Sequence, residues 1–317
     1  MSVYASRFVA RVPDDQFPIG RRQPEVVAVT RIDRTRLGTF FAVLLGLGVL
    51  FEVVSAAANV GMIRLAPIYM FTPMVAGAIT AWRGDVSFSA VGLRRGRYRW
   101  LGLASVAPVA LMYAILGVSL LLPGVTFARA TDPVPGFDLP PGILGTIAAL
   151  GLVVALGATV NAVLAFGEEF GWRGYLLWEL APLGFWRASL VIGAVWGLWH
   201  APIIVEGYNY PSFPVVGVVA MTLATVAFSF TYTYLVVRAR SVLAAVFFHG
   251  VFNAAGGLVT VYTDTESAFL SELVASPVGA ASVALFLLVA VLVCYTDRPA
   301  LTRSFAREER SEQRAQR

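Results

Sequence analysis

Lysine is absent from this chain of 317 residues, and all 24 of its basic residues are arginine. Charge of either sign is scarce, at 14% of residues, where a soluble domain carries about 25%. A single cysteine, Cys294, excludes an internal disulfide. There are only two histidines, His200 and His249. With 58% hydrophobic residues and a mean hydropathy of +0.74, the polar side chains are too few to cover a globule of this size. Hydrocarbon must be part of the solvent. A pI of 9.6 would suit a nucleic-acid binder, but the arginines are spread between apolar runs and not gathered into a patch. That spacing argues against a nucleic-acid partner and for arginines acting as topology signals.

Apolar runs of membrane-crossing length, about 20 residues, cover approximately 37–60, 65–82, 100–122, 142–166, 188–205, 213–237, 241–262 and 273–295. They predict an all-α, polytopic integral membrane protein with about eight transmembrane helices. The second and fifth runs are the shortest and contain proline, which a span tolerates when neighbouring groups satisfy the freed carbonyl. With the N-terminus in the cytosol and sides alternating across eight spans, every arginine falls inside except Arg64 and Arg129, as the positive-inside bias requires. Both termini are therefore expected on the cytosolic side of a cell membrane. Residues 1–36, rich in arginine and without an apolar core, read as a cytosolic arm, partly disordered, and not as a cleavable signal peptide. Residues 37–295 form the membrane domain, and 296–317 form a charged cytosolic tail. Tyr208 and Tyr210 fall where an outer interfacial belt is expected.

Ionisable groups that persist inside a membrane are functional candidates by default. Here they are Glu52 in the first run, Glu168, Glu169 and Arg173 in GEEFGWRG, His200 in WGLWHAP and His249 in FFHGVFN. At about 1.5 Å rise per residue, His249 lies roughly 12 Å and His200 roughly 18 Å from the cytosolic ends of their helices, with the carboxylates about 10 Å deep. Three helices thus deliver a carboxylate pair and both imidazoles to one half of the bilayer. Glu169 and Arg173 are spaced i, i+4 and share a helix face, where they can pair. Glu168 points about 100° away and is free for another task. His249 and Asn253 share a face by the same spacing. Pro202, just after His200, loosens the helix there. Glu52 has no motif around it and reads as structural, with Asn59 as its guessed partner. Trp172, Trp196 and Trp199 flank the polar residues and are expected at the cavity.

These residue types suit amide hydrolysis. A desolvated carboxylate takes a proton from water, an imidazole shares or returns it, and Asn or His donates to an oxyanion. The same set permits a second mechanism, in which Glu168, His200 and His249 hold Zn2+ with water as fourth ligand, although no HExxH is present.

EEFGWR matches an EExxxR motif, WGLWH an FxxxH-type motif and HGVFN an HxxxN motif, in the order and spacing of the CPBP intramembrane proteases, also called the Abi or type II CAAX prenyl endopeptidase family. The resemblance covers about residues 140–260, with Trp196 standing where the family usually has phenylalanine. It implies proteolysis within the membrane near its cytosolic face. Eukaryotic members trim prenylated CAAX tails, and prokaryotic ones are associated with bacteriocin maturation or immunity. Carried over by motif, Glu168 activates water with His200, Glu169 and Arg173 hold the site together, and His249 with Asn253 stabilises the oxyanion. The expected substrate is a membrane-embedded or lipidated peptide. The family has been described both as metalloproteases and as metal-independent glutamate proteases; two imidazoles and a poorly ligating Asn253 favour the mechanism without a required cofactor. Two other functions compete: a non-proteolytic immunity or scaffold protein, and a proton-coupled transporter. Against the transporter, the polar residues form no path through to the outer face.

Overall fold

The structure, a computed structural model, describes residues 31–128, 134, 136–140, 142–297 and 299–306. Most of the expected N-terminal arm, Arg129 and the end of the tail lie outside the described residues. The chain is all-α and polytopic, as its composition requires. Six helical runs are long and apolar enough to cross a membrane, and a seventh apolar helix has 17 residues.

Helix α1 (Arg34–Ala58) begins where the Asp33 carboxylate accepts from the backbone N–H groups of Thr35 and Arg36, a side-chain N-cap. It ends at Asn59, in the left-handed region at φ 52°, so Asn59 terminates the helix. The expected second span is broken into α2 (Met62–Tyr69) and α3 (Thr72–Arg83), with Pro67 inside the first and Pro73 at the start of the second. Helix α4 (Tyr98–Ser119) follows. A short ribbon comes next, β1 (Val125–Phe127) pairing antiparallel with the later β2 (Thr263–Thr265) in the register Val125↔Thr265.

The expected span 142–166 and the first part of the expected span 188–205 fall in one helical run, Ile143–Trp199. It comprises α5 (Ile143–Leu156), a π-helical turn Gly157–Asn161, α6 (Ala162–Glu169), a second π segment Phe170–Leu176, α7 (Leu177–Leu180) and α8 (Gly184–Trp199). The chain reverses at Gly184, whose φ of 76° needs a residue without Cβ. Then come α9 (Ala201–Ile204), α10 (Pro214–Ala239), α11 (Leu243–Ala255), α12 (Gly257–Val261), a π segment Phe269–Val274 and α13 (Ala280–Thr296).

Contacts between connections define the two ends of the bundle. At one end Arg36 meets Glu179, Arg97 N–H donates to the Ala239 carbonyl, and Val242 N–H donates to the Gly92 carbonyl. An Arg238–Asp297 ion pair lies there too. At the other, Ile63 N–H donates to Glu206, Ser212 to Glu272, and Tyr210 Oη to the Val278 carbonyl. Among the described residues, every arginine sits at the first end except Arg64 and the buried Arg173. Small residues set the packing within the bundle, as membrane helices require when apolar burial alone does not drive them together. A Cβ at Gly171 would lie 2.4 Å from the backbone of Pro73, and one at Gly197 2.4 Å from Thr222 Cα.

Candidate active site

Glu168 and Glu169 close α6, and the chain passes directly into the π segment that carries Arg173. Wide turns of this kind recur at functional sites, where they re-aim side chains along an otherwise regular helix. The two carboxylates diverge as their spacing predicts. Glu169 turns to Arg173, whose Nη1 donates to its Oε1 at 3.1 Å, and His249 Nδ1–H donates to the same oxygen at 2.8 Å. All three side chains are buried. The guanidinium also lies over the rings of Trp196 and Tyr232, 4.2 and 4.7 Å from their centroids. Removing either charge would leave the other stranded, since a buried charge needs both a partner and hydrogen bonds.

Glu168 faces the other way, into a cavity of about 100 Å³, large enough for several waters. Trp196 Nε1 donates to Glu168 Oε2 at 2.5 Å. Trp196 comes from α8, one turn before His200, and its carbonyl accepts from His200 Nδ1–H at 2.8 Å. That bond fixes the tautomer and leaves Nε2 of the neutral ring as the atom able to take a proton. His200 stands at the junction of α8 and α9, two residues before Pro202, so the ring occupies a helix break as expected. The Trp196 ring lies 5.8 Å from the His200 ring and 5.5 Å from the His249 ring. Asn253, one turn beyond His249 on α11, lines the same cavity.

All six residues expected at the site are therefore brought together, four at the cavity wall and Glu169 with Arg173 directly behind it. Trp196 and Trp199 line the cavity, whereas Trp172 does not; it packs beneath, against Phe40 and Trp199. Tyr210 is fully buried with its hydroxyl bound to Val278, so it is no part of an interfacial belt. Tyr208 lines the cavity. Glu52 lies on an apolar groove of about 650 Å³ between α1 and α8 and makes no pair with Asn59. The stacked rings of Tyr69 and Trp199 border both this groove and the cavity.

No motif or spacing points to Tyr232, whose ring packs against His249 and Trp196. Glu179 in YLLWEL belongs to none of the three motifs, although a lone carboxylate in an apolar run is a signal in its own right. As a zinc site the arrangement fits poorly. Among the described residues, no three His, Cys, Asp or Glu side chains are grouped to hold a metal ion. Glu168 Oε2 already accepts from Trp196, and Glu169 and Asn253 are occupied with or suited to other bonds.

Residues 143–255 match the family described as type II CAAX prenyl endopeptidase Rce1-like. Over that core the chain is similar to the CPBP family. The matched segment holds every residue assigned to the site, from Glu168 to Asn253. A curated relative, CAAX prenyl protease 2 of Methanococcus maripaludis, is 30% identical over 105 residues, which cover 31% of this chain and 39% of the relative. The match thus spans about two fifths of that relative's length.

Proposed function

We propose that the protein is an intramembrane endopeptidase in a cell membrane, with both termini cytosolic, which hydrolyses a peptide bond of a membrane-embedded or lipidated substrate. The observation that carries this reading is a cavity of about 100 Å³ walled by Glu168, His200, His249 and Asn253, with a second carboxylate tied down behind it. The matching family and the curated relative both carry the name of prenyl proteases. The apolar groove beside Tyr69 and Trp199 has room for a hydrocarbon chain next to the polar cavity.

In the first step Glu168 takes a proton from water while His200 Nε2 accepts a hydrogen bond from the same molecule. The water oxygen bonds to the scissile carbonyl carbon, and the carbonyl oxygen becomes an oxyanion. Asn253 donates an amide N–H to that oxygen, and His249 stands beside it, its Nδ1–H committed to Glu169. The C–N bond then breaks, and the proton held by Glu168 passes to the leaving amine. No step requires a metal. The test is cleavage of prenylated and unprenylated membrane peptides by purified protein, with and without chelator. Cleavage that survives chelation and is lost in Glu168→Gln supports this mechanism. Chelator-sensitive cleavage would replace it with a metalloprotease mechanism, and a fully active Glu168→Gln would remove the protease assignment from this cavity.

A further inference from the structure

One buried side chain touches Glu168, Arg173, His200 and His249 alike, and the steps above give it no task. Trp196 on α8 donates from its indole Nε1–H to Glu168 Oε2 at 2.5 Å. Its ring lies against the Arg173 guanidinium, which stands 4.2 Å from the centroid. The rings of His200, His249 and Tyr232 pack around it at 5.8, 5.5 and 5.5 Å. Its backbone carbonyl accepts from His200 Nδ1–H, the bond that sets the tautomer. An indole nitrogen donates and cannot accept, so its bond to Glu168 needs a bare carboxylate oxygen on the other side.

The backbone that carries Trp196 is fixed by contacts outside the site. Gly193 and Gly197 flank it, and a Cβ there would lie 2.5 Å from Val226 Cα and 2.4 Å from Thr222 Cα, both on α10. Thr225 Oγ1, also on α10, donates to the Gly193 carbonyl at 2.9 Å. Helix α8 therefore packs on α10 backbone to backbone, as small residues allow in membrane bundles, and the indole is aimed from a rigid base. Glu168 has no such anchor of its own. Among the described residues the indole is the one hydrogen-bond donor to its carboxylate. The last torsion of a glutamate is broad and two-fold, so a carboxylate without a donor exchanges its two oxygens. The indole removes that freedom: Oε2 is held, and Oε1 is left for the cavity.

We infer that Trp196 is a positioning residue for the hydrolysis. Its indole N–H holds the Glu168 carboxylate in one orientation, so that a single oxygen, Oε1, takes the proton from water and returns it to the leaving amine. The reaction served rests on the protease reading; the indole–carboxylate bond rests on geometry alone. Phenylalanine, usual at this place in the motif, offers a ring without the donor, so this means of orientation belongs to the present chain. The test replaces the indole N–H by sulfur and keeps the ring shape: benzothienylalanine is incorporated in place of Trp196 in the full chain, beside Trp196→Phe. Cleavage of membrane peptides and thermal unfolding are measured in detergent, and indole N–H proton resonances are recorded on protein carrying isotope-labelled tryptophan. The benzothienyl variant should unfold like the parent and lose about 10–100-fold in kcat, the worth of a hydrogen bond to a charged group, with KM unchanged. Trp196→Phe should show the same split between kcat and KM, and it decides the matter if the benzothienyl variant does not fold. The resonance missing from Trp196→Phe should lie downfield in the parent and move upfield in Glu168→Ala. Parental kcat in the benzothienyl variant would reduce Trp196 to packing and overturn the inference. So would a resonance that Glu168→Ala leaves in place. The expected resonance in a parent protein that cleaves no membrane peptide would instead defeat the protease reading and the positioning role with it, leaving only the bond.

Discussion

Glu168 and Glu169 are adjacent in sequence and face different surroundings. Glu169 accepts from both Arg173 and His249 through Oε1, whereas Glu168 has one indole donor and open cavity beside it. Glu168→Gln keeps shape and the Trp196 contact but cannot take a proton. Cleavage rates should fall by about 10²–10⁴-fold, the usual worth of a general base, with thermal unfolding in detergent unchanged. Arg173→Ala is expected to act differently. It leaves Glu169 buried against a neutral cavity, and losing one partner of such a pair costs about 3–5 kcal/mol. The melting temperature should drop together with activity. A variant that melts normally but is inactive would move Arg173 from a positioning to a chemical role.

At the scale of helices, glycine decides how closely the catalytic run approaches its neighbours. Gly171 faces Pro73 on α3 so tightly that a Cβ would sit 2.4 Å from backbone atoms, which cannot yield as a side-chain tip would. Gly171→Ala should therefore cost about 1–3 kcal/mol through overpacking. By tilting the π segment, it should also lower kcat more than it raises KM. Gly46 makes the control, since a Cβ there meets nothing within 4 Å; Gly46→Ala should leave unfolding and cleavage as they are. Equal effects at both positions would show that helix propensity, not close approach, governs the run.

For the whole molecule, Glu179 joins three distant stretches: the start of α1, the end of the catalytic run and residues 299–306. It lies ten residues along the same run from Glu169, so its loss should loosen this junction without touching the chemistry directly. Glu179→Gln leaves two arginines facing a neutral amide, and Arg303→Ala removes one of them. The first should lower the melting temperature more than the second, because Glu179 is fully buried while Arg303 is partly exposed. Limited proteolysis after residue 298 is the accompanying measurement. If cutting is no faster in Glu179→Gln than in the parent, residues 299–306 are held by their apolar side chains alone.

Composition and periodicity were enough to decide that the chain is helical and crosses a membrane, because no soluble surface can be made from so few polar residues. The pairing of Glu169 with Arg173 and the shared face of His249 and Asn253 were equally legible, since both follow from helical spacing within one segment. What the sequence could not supply is anything that depends on contacts between segments. Trp196 as the donor to Glu168, Tyr232 under the guanidinium, the burial of Tyr210 and the clasp around Glu179 all join residues far apart in the chain. Depth along a helix can be counted from residue numbers, but which side chains meet across a cavity depends on how seven helices pack, and only the tertiary structure fixes that.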